Sequence, residues 1–157
     1  MLVHARALLV GTAEGATTYI HADLREPDKI LAGAGDVLDL TRPVALILSG
    51  ILGHVPDNGE AGSIVGRLLA GLPSGSYLSL NDGTQTVASQ EITKAQEEYN
   101  ASGAVPYTLR PPEEIAGFFD GLELVEPGVV SCPMWRPDPR TGTPSPVDAF
   151  GGVGRKP

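Results

Sequence analysis

The stretch Val44-Ala45-Leu46-Ile47-Leu48-Ser49-Gly50-Ile51-Leu52-Gly53-His54-Val55-Pro56-Asp57 decides the fold of this chain. It runs from a short continuous apolar segment into Ser-Gly, then a histidine, and then a Pro-Asp break. This pattern is typical of a strand that is buried on both faces and ends in a polar loop. We therefore expect it in the middle of a parallel sheet, where open α/β folds bind ligands at the carboxyl ends of the strands.

The segments before this stretch predict a helix, a strand and a second helix. Good helix formers over Leu2–Val10 predict the tail of a helix. β-branched and aromatic residues over Thr17–Ala22 predict a strand with Asp23 at its end. Pro27 suits the first turn of a helix, because its fixed φ angle is already helical.

The segments after this stretch continue the alternation. Asn58–Gly62 is predicted as a loop, and apolar residues at helical spacing predict a helix over Ser63–Leu72. Alternating polar and apolar residues over Ser76–Asp82 predict the next strand, which completes a strand, helix, strand unit. The remaining segments are predicted as an exposed helix, a short helix, a strand interrupted by Pro-Gly, a Pro-rich surface loop and a terminal strand: Val87–Tyr99, Pro111–Phe119, Leu122–Val130, Trp135–Val147 and Ala149–Lys156.

The composition indicates one globular domain. With 157 residues, of which 41% are hydrophobic, the chain can build one core. A net charge of −8 and only 11 Lys and Arg argue against a nucleic-acid-binding surface. There is no apolar run of about 18 residues and no signal-peptide pattern, so we expect a cytoplasmic protein without a membrane partner. The single cysteine, Cys132, excludes an intrachain disulfide.

Three features could carry chemistry, and each has a structural alternative. Asp23 could accept a hydrogen bond from a ligand at a strand end, or it could satisfy loop amides. His54 could be a general base, a ligand contact or a packing residue, and packing is favoured from the residues alone. Gly50, with Ser49 before it, could let a ligand approach the backbone, or the pair could form a strand-ending turn.

Metal binding and covalent catalysis have little support in the sequence. His4, His21 and His54 are scattered, without partners at ligand spacing, so we expect no metal site. There is no G-x-S-x-G motif, and Cys132 has no evident histidine partner. The run Gly151–Gly154 ends the chain instead of opening a helix, and therefore does not match a phosphate loop.

The combined pattern resembles an actinobacterial family of S-adenosylmethionine-dependent methyltransferases that was long catalogued as a domain of unknown function. The resemblance covers nearly the whole chain, and its motifs occur together. The runs that carry it are Leu2–Leu9, Tyr19–Pro27, Arg42–Asp57, Leu72–Leu78, Phe118–Val130 and Gly151–Pro157.

This resemblance implies a Rossmann-like class I methyltransferase sheet with S-adenosylmethionine lying over the carboxyl ends of the strands. His54 then falls near the methyl-transfer zone and is the candidate catalytic residue. Five residues match positions that contact the cofactor, two at the adenine and three beneath the methionine portion: Asp23 and Leu24, then Ser49, Gly50 and Ile51.

A complete member of the family would begin with an amino-terminal region, a strand with a Gly-rich loop, and a second strand ending in an acidic residue. By the resemblance, residues 1–157 form a single partial methyltransferase domain, truncated at the amino end, with the first two strands absent. The implied function is methyl transfer to an unknown acceptor. The alternative is a non-catalytic remnant or partner subunit that associates through its exposed sheet edge, as a homo-oligomer or with another chain.

We predict that this chain alone binds S-adenosylmethionine weakly or not at all. The resemblance places the Gly-rich turn and the ribose-binding carboxylate outside the chain, and both contribute to cofactor affinity in such folds. Isothermal titration calorimetry measures this directly, and micromolar affinity would contradict the prediction.

Overall fold

A computed structural model describes residues 15–87, 89–103 and 105–157, so the predicted helix tail Leu2–Val10 lies outside the described residues. The described helices are α1 (Pro27–Gly35), α2 (Asn58–Ala70), α3 (Ser89–Ala101) and α4 (Pro112–Gly117). The described strands are β1 (Ala45–Ser49), β2 (Tyr77–Gly83), β3 (Glu123–Leu124), β4 (Val130–Ser131) and β5 (Ala149–Arg155). None of these helices is long and apolar enough to cross a membrane.

The strands form one mixed sheet in the order β1-β2-β5-β3, with β4 also paired to β5. β1 and β2 run parallel, with Ser49 opposite Asn81 at their carboxyl ends. β5 runs antiparallel to β2, β3 and β4. The predicted α/β class is confirmed, and the predicted strand, helix, strand unit corresponds to β1, α2 and β2.

The core lies between α2 and one face of the sheet. Helical spacing places one apolar face of α2 against alternate residues of β1 and β2, and α4 adds to the same layer. Each fully buried Leu or Ile side chain of this kind contributes about 1.5–3 kcal/mol through removal of apolar surface from water. The buried residues of this cluster include Ile64, Val65, Leu68, Leu48, Leu78, Leu80, Ile115 and Phe119.

The helix after β1 begins earlier than the sequence predicts. Asn58–Gly62 was expected to be a loop, but these residues form the first turns of α2. Asp57 caps this helix, because its side chain accepts a hydrogen bond from the Glu60 amide at 2.7 Å. The cap and the buried Ala61 stabilise the first turn despite the glycines beside them.

The prediction of a strand over Thr17–Ala22 is wrong. The segment has no regular secondary structure and pairs with no strand among the described residues. Its Ile20 side chain instead lies against Gly33 of α1. β-branched residues favour an extended backbone, but a strand also needs a neighbouring ladder, and β1 pairs only with β2 in the described part of the chain.

The prediction that β1 is buried on both faces in the middle of the sheet is also wrong for the described residues. β1 is the edge strand of the described sheet, and Ile47 at its centre is 68% exposed. Leu46 and Leu48 face the core, so only one face of the strand is covered by the described layers. An apolar run in the sequence indicates that a strand can be buried, but it does not indicate which elements will cover the strand.

The terminal strand is more central than the sequence indicates. β5 lies between β2 and the short strands β3 and β4, so the end of the chain joins the two halves of the sheet. A Cβ atom added at Gly151 would lie 2.4 Å from the Leu80 carbonyl oxygen. Glycine is therefore required at this position for β5 to approach β2 closely.

We predict that Gly151→Ala destabilises the fold by about 1–3 kcal/mol, because the added methyl group overlaps β2. Gly66→Ala is the matched control. Gly66 is exposed in α2, and no atom of the described residues lies within 4 Å of a Cβ added there, so alanine should stabilise the helix by about 0.5–1 kcal/mol. Urea unfolding measures both changes, and equal midpoints for the two variants would contradict the prediction.

Candidate functional site

The chain leaves β1 through a short turn at the carboxyl edge of the sheet. After the strand, a 3₁₀ turn spans Leu52–His54, and the Val55 amide donates to the Leu52 carbonyl at 2.8 Å. Leu52 and Val55 are buried in the core, so they hold the turn on both sides of His54. Residues 51–55, which we call the β1 turn, therefore have a fixed position at the sheet edge.

A cavity of about 270 Å³ opens beside the β1 turn. It is formed by the loop before α1, by the β1 turn and by one residue that follows α3. Four of the residues predicted from the sequence to form the site lie together around this cavity. The lining residues are Asp23, Leu24, Arg25, Ile51, His54, Val55 and Val105.

Two further predicted residues, Ser49 and Gly50, do not line this cavity. Ser49 is the last residue of β1, opposite Asn81 of β2. Gly50 has a φ angle of 59°, and its amide donates to the Asn81 carbonyl at 2.9 Å. The pair forms the strand-ending turn that was one of the two alternatives, and the contact of these residues with a cofactor stays a prediction.

Asp23 has a local structural role at the rim of the cavity. One oxygen of its carboxylate accepts the Arg25 amide at 2.9 Å, and its own amide donates to the Glu26 carboxylate at 3.1 Å. Arg25 in turn forms an ion pair of 2.7 Å with Glu60 of α2. Asp23 therefore satisfies loop amides, as one alternative expected, and its exposed carboxylate also lies where a ligand could reach it.

His54 lies half-buried between the cavity and the segment that follows α3. Its Nδ1 atom is 3.0 Å from the Pro106 carbonyl oxygen. Its ring meets the Tyr107 ring edge to face, with centroids 5.1 Å apart and planes at 86°. His54 is therefore packed by its neighbours, as the sequence favoured, and it also lines the cavity.

A buried arginine lies directly behind the β1 turn. Arg110 is 1% exposed, and its Nη1 atom donates to the Leu52 carbonyl at 2.8 Å. Its Nη2 atom donates to the Val55 carbonyl, and its Nε atom donates to the Asn58 side-chain oxygen at 2.7 Å. The guanidinium group thus holds both ends of the turn and the first residue of α2.

Asp82 is the counterion of Arg110. The two side chains form an ion pair of 3.4 Å, and Asp82 is also 1% exposed. Burial raises the pKa of Asp82 above its ordinary value, while hydrogen bonds from Tyr107 and Gly83 and the charge of Arg110 oppose this shift. A buried arginine without this carboxylate would be an uncompensated charge, which is strongly destabilising.

Tyr107 completes the buried group. Its hydroxyl donates to Asp82 and accepts the Gly83 amide at 3.0 Å. Burial and the neighbouring carboxylate of Asp82 raise the pKa of Tyr107 far above its ordinary value. Tyr107 therefore stays protonated and acts as a hydrogen-bond donor.

Arg110, Asp82 and Tyr107 were not predicted from the sequence as site residues. Asp82 could have been predicted, because it lies near the carboxyl end of β2, and Asp23 was chosen as a candidate for the same kind of position. Arg110 and Tyr107 could not have been found in this way, since the hydrogen-bond partners of the Arg110 guanidinium and of the Tyr107 hydroxyl lie more than 20 residues away along the chain. No group of three or more potential metal ligands is arranged as a site in the part of the chain that the structure describes.

We predict that Tyr107 does not ionise near pH 10, where a solvated tyrosine does. Because its pKa is raised in the folded state, its contribution to stability is fully present below about pH 10 and is lost as the pH rises further. Tyrosinate absorbance during an alkaline titration, compared between wild type and Tyr107→Phe, measures this. Tyr99→Phe, at an exposed position, is the control. If the tyrosinate absorbance of the folded wild type rises more near pH 10 than that of folded Tyr107→Phe, the prediction is contradicted.

Comparisons with known proteins agree with the predicted family. A family model described as S-adenosyl methyltransferase matches residues 1–157. A DUF574 family protein from Streptomyces avermitilis is 44% identical, with a TM-score of 0.89 over 99% of this chain and 61% of that chain. A candidate methyltransferase from Thermobifida fusca is 32% identical, with a TM-score of 0.78 over 99% of this chain and 59% of that chain. No curated protein matches.

A more distant structure shares the fold. An S-adenosylmethionine-dependent methyltransferase from Anabaena variabilis has a TM-score of 0.58 at 13% identity, over 94% of this chain and 60% of that chain. The chain spans about three-fifths of the length of the Streptomyces and Thermobifida proteins. Because the family model covers every residue and both of those relatives exceed 30% identity, this chain belongs to the S-adenosyl methyltransferase family.

Proposed function

We propose that this chain takes part in methyl transfer from S-adenosylmethionine, with the cofactor held at the cavity beside the β1 turn. The observation that carries this proposal is the convergence of two separate segments on one cavity. Asp23 and Leu24 come from the loop before α1, and Ile51 and His54 come from the β1 turn. The resemblance of the sequence to this family implies cofactor contacts at Asp23, Leu24 and Ile51 and a methyl-transfer zone near His54, which supports this proposal.

The residues around the cavity fit part of this cofactor. Leu24 offers apolar surface for a flat adenine ring, and the Asp23 carboxylate at the rim can accept a hydrogen bond from an amine. Ile51 offers apolar surface for the methionine portion. A volume of about 270 Å³ is slightly below the range of about 300–1,000 Å³ for whole ligand pockets. The cavity can therefore hold part of the cofactor, and further surface is needed for the whole molecule.

When bound, S-adenosylmethionine would supply an electrophilic sulfonium methyl group, which passes to the acceptor's oxygen or nitrogen as the carbon–sulfur bond breaks and S-adenosylhomocysteine leaves. The residues of this chain then bind and orient. Asp23 and Leu24 fix the adenosine portion, and the Arg25–Glu60 ion pair holds the loop that carries Asp23. His54 accepts the proton that an acceptor hydroxyl or amine loses as its oxygen or nitrogen takes the methyl group.

We predict that S-adenosylmethionine shifts the amide signals of residues 23–25 and 51–55 in a ¹⁵N NMR titration. The method detects affinities as weak as millimolar. Asp23→Asn should weaken binding by about tenfold or more, because it removes a charged hydrogen-bond acceptor. Asparagine retains the side-chain oxygen that accepts the Arg25 amide, so the loop should stay folded.

Asp120→Asn is the matched control for this titration. Asp120 is exposed in the turn after α4 and does not line the cavity, so the same change of charge there should leave the affinity unaltered. Shifts that cluster elsewhere in the chain, or equal effects of the two substitutions, would contradict the proposed site.

A second candidate function is that of a non-catalytic partner subunit. The observation that favours it is the edge of β1, which has one strand neighbour among the described residues and exposes Ile47. Open edges and exposed apolar side chains on a sheet promote pairing with another chain. A stable dimer in light scattering, together with no shifts from the cofactor, would favour this second candidate over the first.

A further inference from the structure

Residues 106–110, which follow α3, form a brace behind the β1 turn. We propose that Arg110 and the Pro106 carbonyl are the positioning groups of this site: together they hold the His54 ring with its Nδ1 protonated and its Nε2 as the free basic nitrogen. The catalytic part of this inference rests on the proposed function. The atomic positions and hydrogen bonds that support the inference are those of the chain without cofactor.

The first support is the way Arg110 holds the backbone of the β1 turn. Its guanidinium group donates to the carbonyls of Leu52 and Val55, which flank His54. The planar fork of arginine fits several acceptors in fixed directions, whereas a lysine ammonium is a single point charge on a flexible stem. Because Asp82 and Asn58 bind the same guanidinium, the group has little freedom to move.

The second support is the close packing of the brace against the turn. The Thr108 amide donates to the Gly53 carbonyl at 2.8 Å. A Cβ atom at Gly53 would lie 2.3 Å from the Tyr107 ring, so the ring packs directly against the backbone of Gly53. The side chain of Asn100 in α3 binds both the amide and the carbonyl of Tyr107, at 2.9 and 3.2 Å. The brace is therefore anchored on the side away from the turn as well.

The third support is the chemistry of the bond to His54. A carbonyl oxygen only accepts hydrogen bonds, so the Nδ1 atom, 3.0 Å from the Pro106 oxygen, must carry the proton. In a neutral imidazole the other nitrogen then has a free lone pair. Nε2 is therefore the atom of His54 that can accept a proton from an acceptor substrate.

Arg110 controls this arrangement through the position of the turn. The distance from Nδ1 to the Pro106 oxygen depends on how residues 52–55 align with residues 106–110. Arg110 belongs to the second segment and binds both ends of the first. Loss of the fork should let the turn move, lengthen the His54 bond and allow the second tautomer.

The wild-type chain provides the first test, without any cofactor. Side-chain ¹⁵N NMR of His54, at a pH where the ring is neutral, distinguishes a protonated from an unprotonated ring nitrogen. A His54→Gln variant assigns the signals among the three histidines. We expect Nδ1 to be protonated and Nε2 unprotonated. A predominantly Nε2-protonated ring would overturn the inference.

Arg110→Lys provides the second test. It retains a positive charge beside Asp82 and loses the fork, so we expect a mixture of His54 tautomers and shifted amides over residues 52–55. The matched control is Arg140→Lys, which makes the same change in an exposed arginine whose ion-pair partner, Asp138, is two residues away. An Arg110→Lys chain that folds and keeps the wild-type His54 signals would overturn the inference.

If Arg110→Lys does not fold, Asn58→Ala decides by the same measurement. Asn58 is exposed at the start of α2 and holds Arg110 through one hydrogen bond, so its loss should shift the His54 signals without unfolding the chain. Unchanged signals would overturn the inference. These measurements are independent of cofactor binding. A titration in which the cofactor does not bind would overturn the proposed function. The His54 tautomer would still be measurable in the chain without cofactor, so the inference would be tested separately.

Discussion

The structure around the cavity depends on one buried guanidinium group. Arg110 satisfies the carbonyls of Leu52 and Val55 and the carboxylate of Asp82, all inside the core. Each of these acceptors would be costly to bury without a partner, by about 1–3 kcal/mol for a neutral group and more for a charged one. The path of the chain after β1 is therefore set by Arg110, a residue that follows β2 and α3 in the sequence.

The sheet supplies the rigid base on which this group is arranged. β1 and β2 end side by side, so the β1 turn and Asp82 meet at one edge. β5 pairs along the whole of β2, and Gly151 allows the two strands to approach closely. The cavity residues lie on loops, and the strands and a buried ion pair hold those loops in place. In many proteins binding residues likewise lie on loops that a rigid scaffold positions.

Much of the fold could be predicted from local patterns. The helix at Pro27, the parallel pairing of the apolar strand with residues 76–82, and the helix between them all occur in the structure. The errors have a common cause. Thr17–Ala22 has strand-forming residues but no strand to pair with among residues 15–87, 89–103 and 105–157. Ile47 is an apolar residue that the described elements leave exposed at the sheet edge. Local composition describes a preference, and neighbours decide whether it is satisfied.

By itself, the sequence determined the α/β alternation and the family, and its resemblance to that family predicted a common site for Asp23, Leu24, Ile51 and His54. These follow from periodicity and from motifs that neighbouring residues carry. The tertiary structure alone decided the partners of Arg110, the protonation of Tyr107 and the bond from His54 to Pro106. Those contacts join residues that lie 25 to 58 positions apart, and a hydrogen bond between distant single residues leaves no repeating pattern in a sequence.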